Sequence, residues 1–177
     1  MKNQDFPGTP RLRLRALEPE DADFLYQTEN DTTAWPDSDT VAPYSRELLR
    51  GYALTYGADP YAEGQLRLVA EDAATHEPIG VADLSDISAR HRRAWVALYI
   101  VRGRRRSGAG AEALRLLEKY AAQTLLLDNL GAKVAETNTA SMRLFESAGY
   151  DKAGVMKGWL KTAGGEEDMT IFRKKIR

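Results

Sequence analysis

The stretch that decides the fold is Trp95-Val96-Ala97-Leu98-Tyr99-Ile100-Val101, with Arg105-Arg106-Ser107-Gly108-Ala109-Gly110 a few residues later. The first segment is an apolar run of strand length, and the second is a glycine-bearing loop that opens an amphipathic helix. A loop that runs into a helix leaves backbone N–H groups without intrahelical partners, at the positive end of the helix dipole. The sequence therefore predicts a strand–loop–helix unit that binds a phosphate.

Composition limits the kind of protein further. The 177 residues carry a formal net charge of −1, and 43% of them are apolar, which is typical of a single globular domain over residues 1–177. A nearly neutral chain has no overall field that favours nucleic acid or an anionic membrane. There is no cysteine and there are two histidines, so we expect no disulfide, no thiolate nucleophile and no metal site. No apolar run reaches membrane-spanning length and residues 1–10 are polar, unlike a signal peptide, so we expect a cytoplasmic protein.

Apolar periodicity and turn residues place the other elements around this unit. Upstream, the pattern predicts a strand over 11–15, a helix from Glu18, a polar loop over 30–44, a helix capped by Ser45, and strands over 66–70 and 79–84. Downstream, it predicts a helix after Gly110, a strand over 130–134, a helix that Asn138 caps and Gly149 ends, and strands near 152–156 and 169–173. The order β-α-α-β-β-β-α-β-α-β-β indicates a mixed α/β (α+β) sheet flanked by helices.

Two motifs resemble those of a known family. Arg105-x-x-Gly108-x-Gly110 after a strand resembles the acetyl-CoA pyrophosphate loop of the GNAT superfamily of N-acetyltransferases, and Asn138-x-x-Ser141 with Leu144-Phe145 and Gly149-Tyr150 resembles its second motif. Segments 65–68, 83–87 and 91–94, with Gly158-Trp159 and Glu167-Asp168, are similar to the spermidine/diamine N-acetyltransferase branch. The resemblance covers residues 12–176, nearly the whole chain, and implies the mostly antiparallel, twisted sheet of the GNAT fold.

The resemblance also implies a chemistry, which is direct attack of a primary amine on the thioester of acetyl-CoA. It places the pyrophosphate on the loop backbone, the strand end beside the pantetheine arm, and Asn138 in a hydrogen bond to that arm. The implied cofactor-binding residues are Ile100, Val101, Arg105, Arg106, Ser107, Gly108, Ala109, Gly110, Asn138 and Ser141. A lysine-type ammonium has a pKa of about 10.4, so a carboxylate or a water chain must remove a proton before attack.

Three residues are candidates for handling the acceptor and the protons. Asp83 and Asp86 follow a predicted strand and could bind the ammonium or relay its proton, although turn chemistry alone also explains aspartates there. The superfamily often has a tyrosine at the position of Phe145, where it protonates the leaving thiolate, and phenylalanine cannot do this. Tyr99 is a replacement if its strand face meets the thiolate. Core packing is the alternative for both aromatic residues.

The sequence favours an N-acetyltransferase for a small polyamine or diamine such as spermidine, without a nucleic-acid or membrane partner. The family resemblance adds the expectation of a homo-oligomer, since family members are often oligomers. Two alternatives stay open. One is a ribosomal-protein-type acetyltransferase for a protein N-terminus, which requires a groove for a peptide. The other is a CoA-binding module without turnover, which Phe145 motivates. Gly108-x-Gly110-x-x-Ala113 also matches a dinucleotide fingerprint, but the strands predicted upstream are unlike the start of a Rossmann unit.

Overall fold

The computed structural model describes residues 12–57, 59–162 and 164–177. The strands and helices are β1 (Leu12–Ala16), α1 (Ala22–Glu29), α2 (Arg46–Thr55), α3 (Pro60–Glu63), β2 (Leu66–Asp72), β3 (Pro78–Ser88), β4 (Arg93–Ile100), α4 (Ala109–Gln123), β5 (Asn129–Ala135), α5 (Thr139–Ser147), β6 (Asp151–Thr162) and β7 (Gly165–Lys175). The predicted order is confirmed, with α3 as an extra short helix and 3-10 turns at Pro19–Asp21, Trp35–Asp37 and Arg102–Arg104.

The strands form one mixed sheet in the order β1-β2-β3-β4-β5-β7-β6. Every neighbouring pair in the described ranges is antiparallel except β4 and β5, which run parallel. That parallel pairing is short, because it joins only Arg93, Ala94 and Trp95 to Asn129, Leu130 and Gly131. The mostly antiparallel sheet implied by the family resemblance is confirmed.

Alternation along the strands gives the sheet two differently covered faces. On one face, the α4 face, Leu114 and Leu117 pack with Leu68, Leu84 and Val96. On the opposite face, the α1–α2 face, Leu25 and Leu49 pack with Val69 and Val81. Because successive side chains point to opposite faces, each strand of the central sheet supplies both layers. Arg67 and Asp83 are two positions from Val69 and Val81 on the same strands, so they also lie on the face that α1 and α2 cover.

Helix boundaries follow local capping chemistry. Ser45 Oγ accepts a hydrogen bond from Leu48 N–H at 3.1 Å, and Gly149 with φ 81° follows the end of α5, as predicted. Helix α4 begins at Ala109, earlier than predicted, because Gly108 takes a φ of 88° as its N-cap. That left-handed conformation is costly for any residue with a Cβ atom.

The strand ends depart most from the expectation. The strands predicted near 152–156 and 169–173 extend to Asp151–Thr162 and Gly165–Lys175. Irregular pairing between Met156 and Leu160 interrupts the alternation without ending the hairpin, which closes where Thr162 pairs with Gly165. The start of the first predicted strand, Arg11, lies outside the described residues. No helix in the described ranges has the length and apolar composition needed to cross a bilayer.

Candidate active site

The loop between β4 and α4 presents free backbone donors. In the described part of the chain, no protein oxygen accepts from the N–H groups of residues 106–111, whereas Glu112 N–H donates to the Gly108 carbonyl at 3.0 Å. The Ser107 side chain bonds within the loop, since its Oγ donates to the Arg104 carbonyl at 2.6 Å. The donors lie at the N-terminus of α4, a helix of 15 residues. This arrangement fits a phosphate.

The divergence of β4 from β5 exposes a strand edge next to this loop. Val101 N–H donates to the Ile79 carbonyl at 2.9 Å, and hydrogen-bonded pairs alternate in an antiparallel ladder. Tyr99 and Ala97 therefore also bond to β3, while the backbone groups of Leu98 and Ile100 point towards β5. Because β4 and β5 pair only as far as Trp95 and Gly131, the amide groups of Leu98 and Ile100 face the widening space between the strands.

The same register determines which backbone groups of Val101 are occupied. Its N–H donates to Ile79, and its carbonyl accepts from Arg104 N–H at 2.9 Å. Val101 therefore has no free N–H for the pantetheine arm. Leu98 has a free N–H there, because its backbone groups point towards β5. The sequence did not single out Leu98. The partner of each β4 amide depends on the β3–β4 register, which the sequence signals only through the hairpin between Ser88 and Arg93.

The arginines of the loop differ in what they contact. Arg104 pairs with Glu77 at 2.8 Å and Asp72 at 3.5 Å, and so turns towards the β2–β3 hairpin. Arg105 turns towards β4, where its Nε donates to the Ile100 carbonyl at 2.7 Å. Arg106 is exposed and has no side-chain hydrogen bond or ion pair with any described residue. Of the two arginines expected to bind the cofactor, Arg106 is the one with a free guanidinium.

The second motif lies at the start of α5, just after β5. Asn138 Oδ1 accepts from Ser141 N–H at 3.0 Å, so the predicted N-cap is confirmed. Phe145 is 5% exposed and lies against the rings of Tyr150 and Phe172, with centroids 5.0 and 5.9 Å away. Core packing therefore accounts for Phe145. The Asn138 side-chain amide nitrogen is left to contact a ligand.

Opposite the α4 face, a buried cluster of charges lies beside the open edge of β4. Arg67 donates to both oxygens of Asp83, at 3.0 Å from Nε and 2.7 Å from Nη2, and its Nη1 donates to Glu29 at 2.6 Å. Asp83 is directly opposite Ala97 in the β3–β4 register. The three charged side chains are only 20–23% exposed. One guanidinium faces two carboxylates, so this cluster carries a surplus negative charge.

The two aspartates predicted to contact substrate have different surroundings. Burial raises the pKa of Asp83, and the charge of Arg67 opposes that shift. Asp86 is 61% exposed and bonds to Arg93 at 2.7 Å, which lowers its pKa. Asp86 lies near the turn between β3 and β4 with a φ of 47°. The two carboxylates therefore differ in exposure and in their arginine partner, Arg67 for Asp83 and Arg93 for Asp86.

Tyr99 lies on the α1–α2 face, opposite Val81. Its hydroxyl donates to Asp31 Oδ2 at 2.9 Å, and burial raises its pKa. Asp31 was not among the residues expected at the site. No local signal marks it, because it is one aspartate in a polar loop and its partner is 68 residues away.

A groove of about 240 Å³ adjoins the paired part of β4 and β5. Its lining includes Trp95, Gly131 and Ile171, with Arg93 and Arg173 among the charged residues. A Cβ atom on Gly131 would lie 2.6 Å from the Trp95 ring, so the glycine lets the indole lie close to β5. Lys133 Nζ is 4.6 Å from the centroid of the same ring. The groove therefore combines an apolar base with cationic side chains.

A phosphate-binding loop and an unpaired strand edge next to it are the arrangement of a CoA-dependent acetyltransferase. The family model described as acetyltransferase (GNAT) domain matches residues 11–151. The chain belongs to this family of N-acetyltransferases, whose members use acetyl-CoA.

Relatives and solved structures agree with this assignment. The chain is 29% identical over 167 residues to p20, an uncharacterised N-acetyltransferase of Bacillus licheniformis, covering 93% of this chain and 92% of the relative. It is similar to spermidine N-acetyltransferase from Vibrio cholerae in complex with CoA and spermine, with a TM-score of 0.83, 22% identity, and coverage of 93% and 95%. A dodecameric structure of spermidine N-acetyltransferase from the same organism has a TM-score of 0.77 at 23% identity, with coverage of 93% and 94%. At these identities the structures show a common fold.

Proposed function

We propose that the protein acetylates a primary amine by direct attack, and that its acceptor is a small polyamine or diamine such as spermidine. The observation that carries the proposal is the open edge of β4 beside the free N–H groups of residues 106–111. Acetyl-CoA supplies the activated thioester. The loop holds its pyrophosphate, and the backbone groups of Leu98, with the N–H of Ile100, bind the pantetheine arm as one strand binds another. A backbone N–H of this edge also polarises the acetyl carbonyl.

The acceptor approaches from the α1–α2 face, where the surplus charge of Glu29 and Asp83 attracts an ammonium. Both Asp83 oxygens already accept from Arg67, so Asp83 takes the amine proton through a water. Its raised pKa suits that role, because a base is most effective when its pKa is near the working pH. Tyr99 is the hydroxyl that β4 offers on this face as an acid for the thiolate. To protonate the thiolate it gives up its hydrogen bond to Asp31, and its raised pKa makes it a weaker acid than a free tyrosine.

Two further observations support a polyamine. The charge surplus is buried, so it is weakly screened by salt. The fold is also that of a Vibrio cholerae enzyme whose crystal structure contains spermine. A homo-oligomer is part of the same proposal, since a similar structure is dodecameric.

One observation favours an acetyltransferase for a protein N-terminus as a second candidate. The groove at Trp95, Gly131 and Ile171 has the apolar lining that a peptide needs, and it lies two residues along β4 from Ala97. Arg93 and Arg173 beside it suit a peptide with an acidic side chain, and they oppose a polycation at that position.

The decisive experiment is release of thiol from acetyl-CoA with a panel of acceptors: spermine, spermidine, putrescine, a short peptide and none. The proposal predicts release with the polyamines above the acceptor-free rate. Release with the peptide alone would select the second candidate. Calorimetric binding of acetyl-CoA with no release would indicate a binding module, and a gain of activity in Phe145→Tyr would then show that a thiolate acid is lacking.

The two aspartates give a matched test of the acceptor site. Asp83→Asn should raise KM for the polyamine about tenfold or more, because it removes a charge that solvent screens poorly, and should also lower kcat, because it removes the base. Asp86→Asn, at an exposed position, should change KM by less than about twofold. If neither substitution changes the polyamine kinetics, the role of Asp83 is wrong.

A further inference from the structure

Asp31 is a carboxylate that joins the loop after α1 to two parts of the cofactor site. Its side chain is 16% exposed. Oδ1 accepts from the N–H and hydroxyl of Thr33, at 3.1 and 2.6 Å, within its own loop. Oδ2 accepts from the Tyr99 hydroxyl of β4 at 2.9 Å. Oδ1 therefore bonds within the loop, and Oδ2 bonds to β4.

The same oxygen faces the arginines that follow β4. Arg102 Nε is 3.8 Å from Oδ2, and Arg105 Nη2 is 4.0 Å from it. The Arg105 guanidinium also lies over the Tyr99 ring, 5.3 Å from its centroid, while its Nε bonds to the Ile100 carbonyl. Tyr99, Arg105 and Asp31 thus form a closed set of contacts around the end of β4.

The Ile100 carbonyl is the last acceptor on the open edge of β4. Because Arg105 occupies it, a ligand that pairs with this edge is directed to Leu98, which is next to Ala97 and Tyr99. We propose that Asp31 is a positioning residue for acyl transfer, which fixes the end of this edge by holding Tyr99 and Arg105. This inference rests on the proposed acetylation at that edge.

A purely structural role in the loop would need only Oδ1. Asparagine can accept the Thr33 hydrogen bonds in the same way, since Asx turns use a carbonyl oxygen. The negative charge at Oδ2 is different, because the charge-assisted bond from the Tyr99 hydroxyl is stronger than a neutral one, and the two guanidinium groups at 3.8 and 4.0 Å interact with Oδ2 through its charge alone. Asp31→Asn therefore separates the two functions of the side chain.

The experiment compares Asp31→Asn, Tyr99→Phe and the double variant, using acetyl-CoA and acetyl-pantetheine as donors. Asp31→Asn should lower kcat about tenfold with both donors, as expected for loss of one charge-assisted interaction, and change KM for acetyl-CoA by less than about twofold. The double variant should lose little more than Tyr99→Phe alone, because both substitutions break one contact. Acceptor-free thiol release gives the same comparison without an amine.

Two matched variants serve as controls. Thr33→Ala removes the hydrogen bond from the Thr33 hydroxyl to Oδ1, keeps the bond from the backbone N–H, and should lower Tm without changing kcat. Arg106→Gln removes the free guanidinium of the loop, and should raise KM for acetyl-CoA but not for acetyl-pantetheine, which has no pyrophosphate.

Three results would overturn the inference. An active wild type with an unchanged kcat in Asp31→Asn would show that the carboxylate does not position the edge. An effect confined to KM for acetyl-CoA would assign Asp31 to phosphate binding. Fully additive losses in the double variant would show that Asp31 does not act through Tyr99. A wild type that releases no thiol under any condition would instead refute the proposed function, and the inference with it.

Discussion

The proposed cofactor side and the proposed acceptor side of the molecule are built in different ways. The cofactor side uses the backbone, through the N–H groups of residues 106–111 and the open edge of β4. The acceptor side uses side chains from separate elements, as where α1 supplies Glu29, β2 supplies Arg67 and β3 supplies Asp83. A backbone site depends on local conformation, and so appears in the sequence as a short motif. A side-chain site depends on the register of distant segments, and leaves no such motif.

The comparison also separates the energetics. A backbone site is sensitive to φ, so glycine substitutions should damage binding without much effect on folding. A cluster of buried charges is sensitive to its partners, because an unpaired buried charge is costly. Substitutions there should reduce stability first.

The largest expected effect is at Gly108. Gly108→Val places a β-branched residue at a φ of 88°, and should weaken acetyl-CoA binding by more than about 100-fold as the loop leaves this conformation. Calorimetric titration with acetyl-CoA measures the loss, and circular dichroism checks that the fold is kept.

Gly110→Ala, two residues further on in the first turn of α4, is the matched control. An added Cβ would meet Leu144 and Ile100 at 3.8 and 3.9 Å, which is ordinary contact. We expect binding within a fewfold of wild type. Equal losses at the two glycines would show that bulk near the phosphate, rather than backbone conformation, controls binding.

The next effect in size is on stability, at Arg67. Arg67→Met leaves Glu29 and Asp83 close together without their cation, and should lower the free energy of unfolding by about 3 kcal/mol. Arg93→Met breaks the exposed pair with Asp86 and should cost less than about 1 kcal/mol. Urea denaturation measures both. Similar losses would mean that the Arg67 cluster is as well solvated as the surface pair.

A smaller change is expected in the groove beside the site. Gly131→Ala brings a Cβ within 2.6 Å of the Trp95 ring, and should cost about 1–3 kcal/mol while shifting tryptophan fluorescence. Gly154→Ala, where nothing lies within 4 Å of the added atom, is the control. An unchanged stability in Gly131→Ala would show that the indole moves freely, and that the groove has no fixed shape.

The smallest expected effect is a loss of folding stability at low pH. Arg13, Arg15 and His76 contact Glu71, and these bonds lower its pKa to about 2. A carboxylate with a depressed pKa stabilises the fold above its unfolded pKa, and loses that contribution as the pH falls towards its folded pKa. From pH 5 to pH 4 we expect a loss below about 1 kcal/mol, which Glu71→Gln should remove. As the pH falls, hydrogen exchange should show amides in β1 and β2 losing protection before amides in α4. Loss of protection in both regions at the same pH would contradict the contrast between the cofactor side and the acceptor side.

The order of elements and the cofactor loop were predictable from the sequence because both are local. Gly108, Ser45 and Asn138 act on backbone groups within a few residues of themselves. Asp31 and Glu29 could not be found in this way, because their partners Tyr99 and Arg67 are 68 and 38 residues distant. The contact between Arg105 and β4 could not be predicted either, since the sequence does not show which of four neighbouring arginines bonds to the Ile100 carbonyl.

The divergence of β4 from β5 has a consequence for the amount of folded protein in a cell. A ligand that completes a sheet stabilises the native state by mass action, by about 2.7 kcal/mol when its concentration is 100 times its Kd. When the ligand is scarce, the uncovered edge is available to proteases and to strands of other chains. With acetyl-CoA bound along this edge as proposed, the abundance of the enzyme should follow the supply of acetyl-CoA, because the bound metabolite completes the sheet.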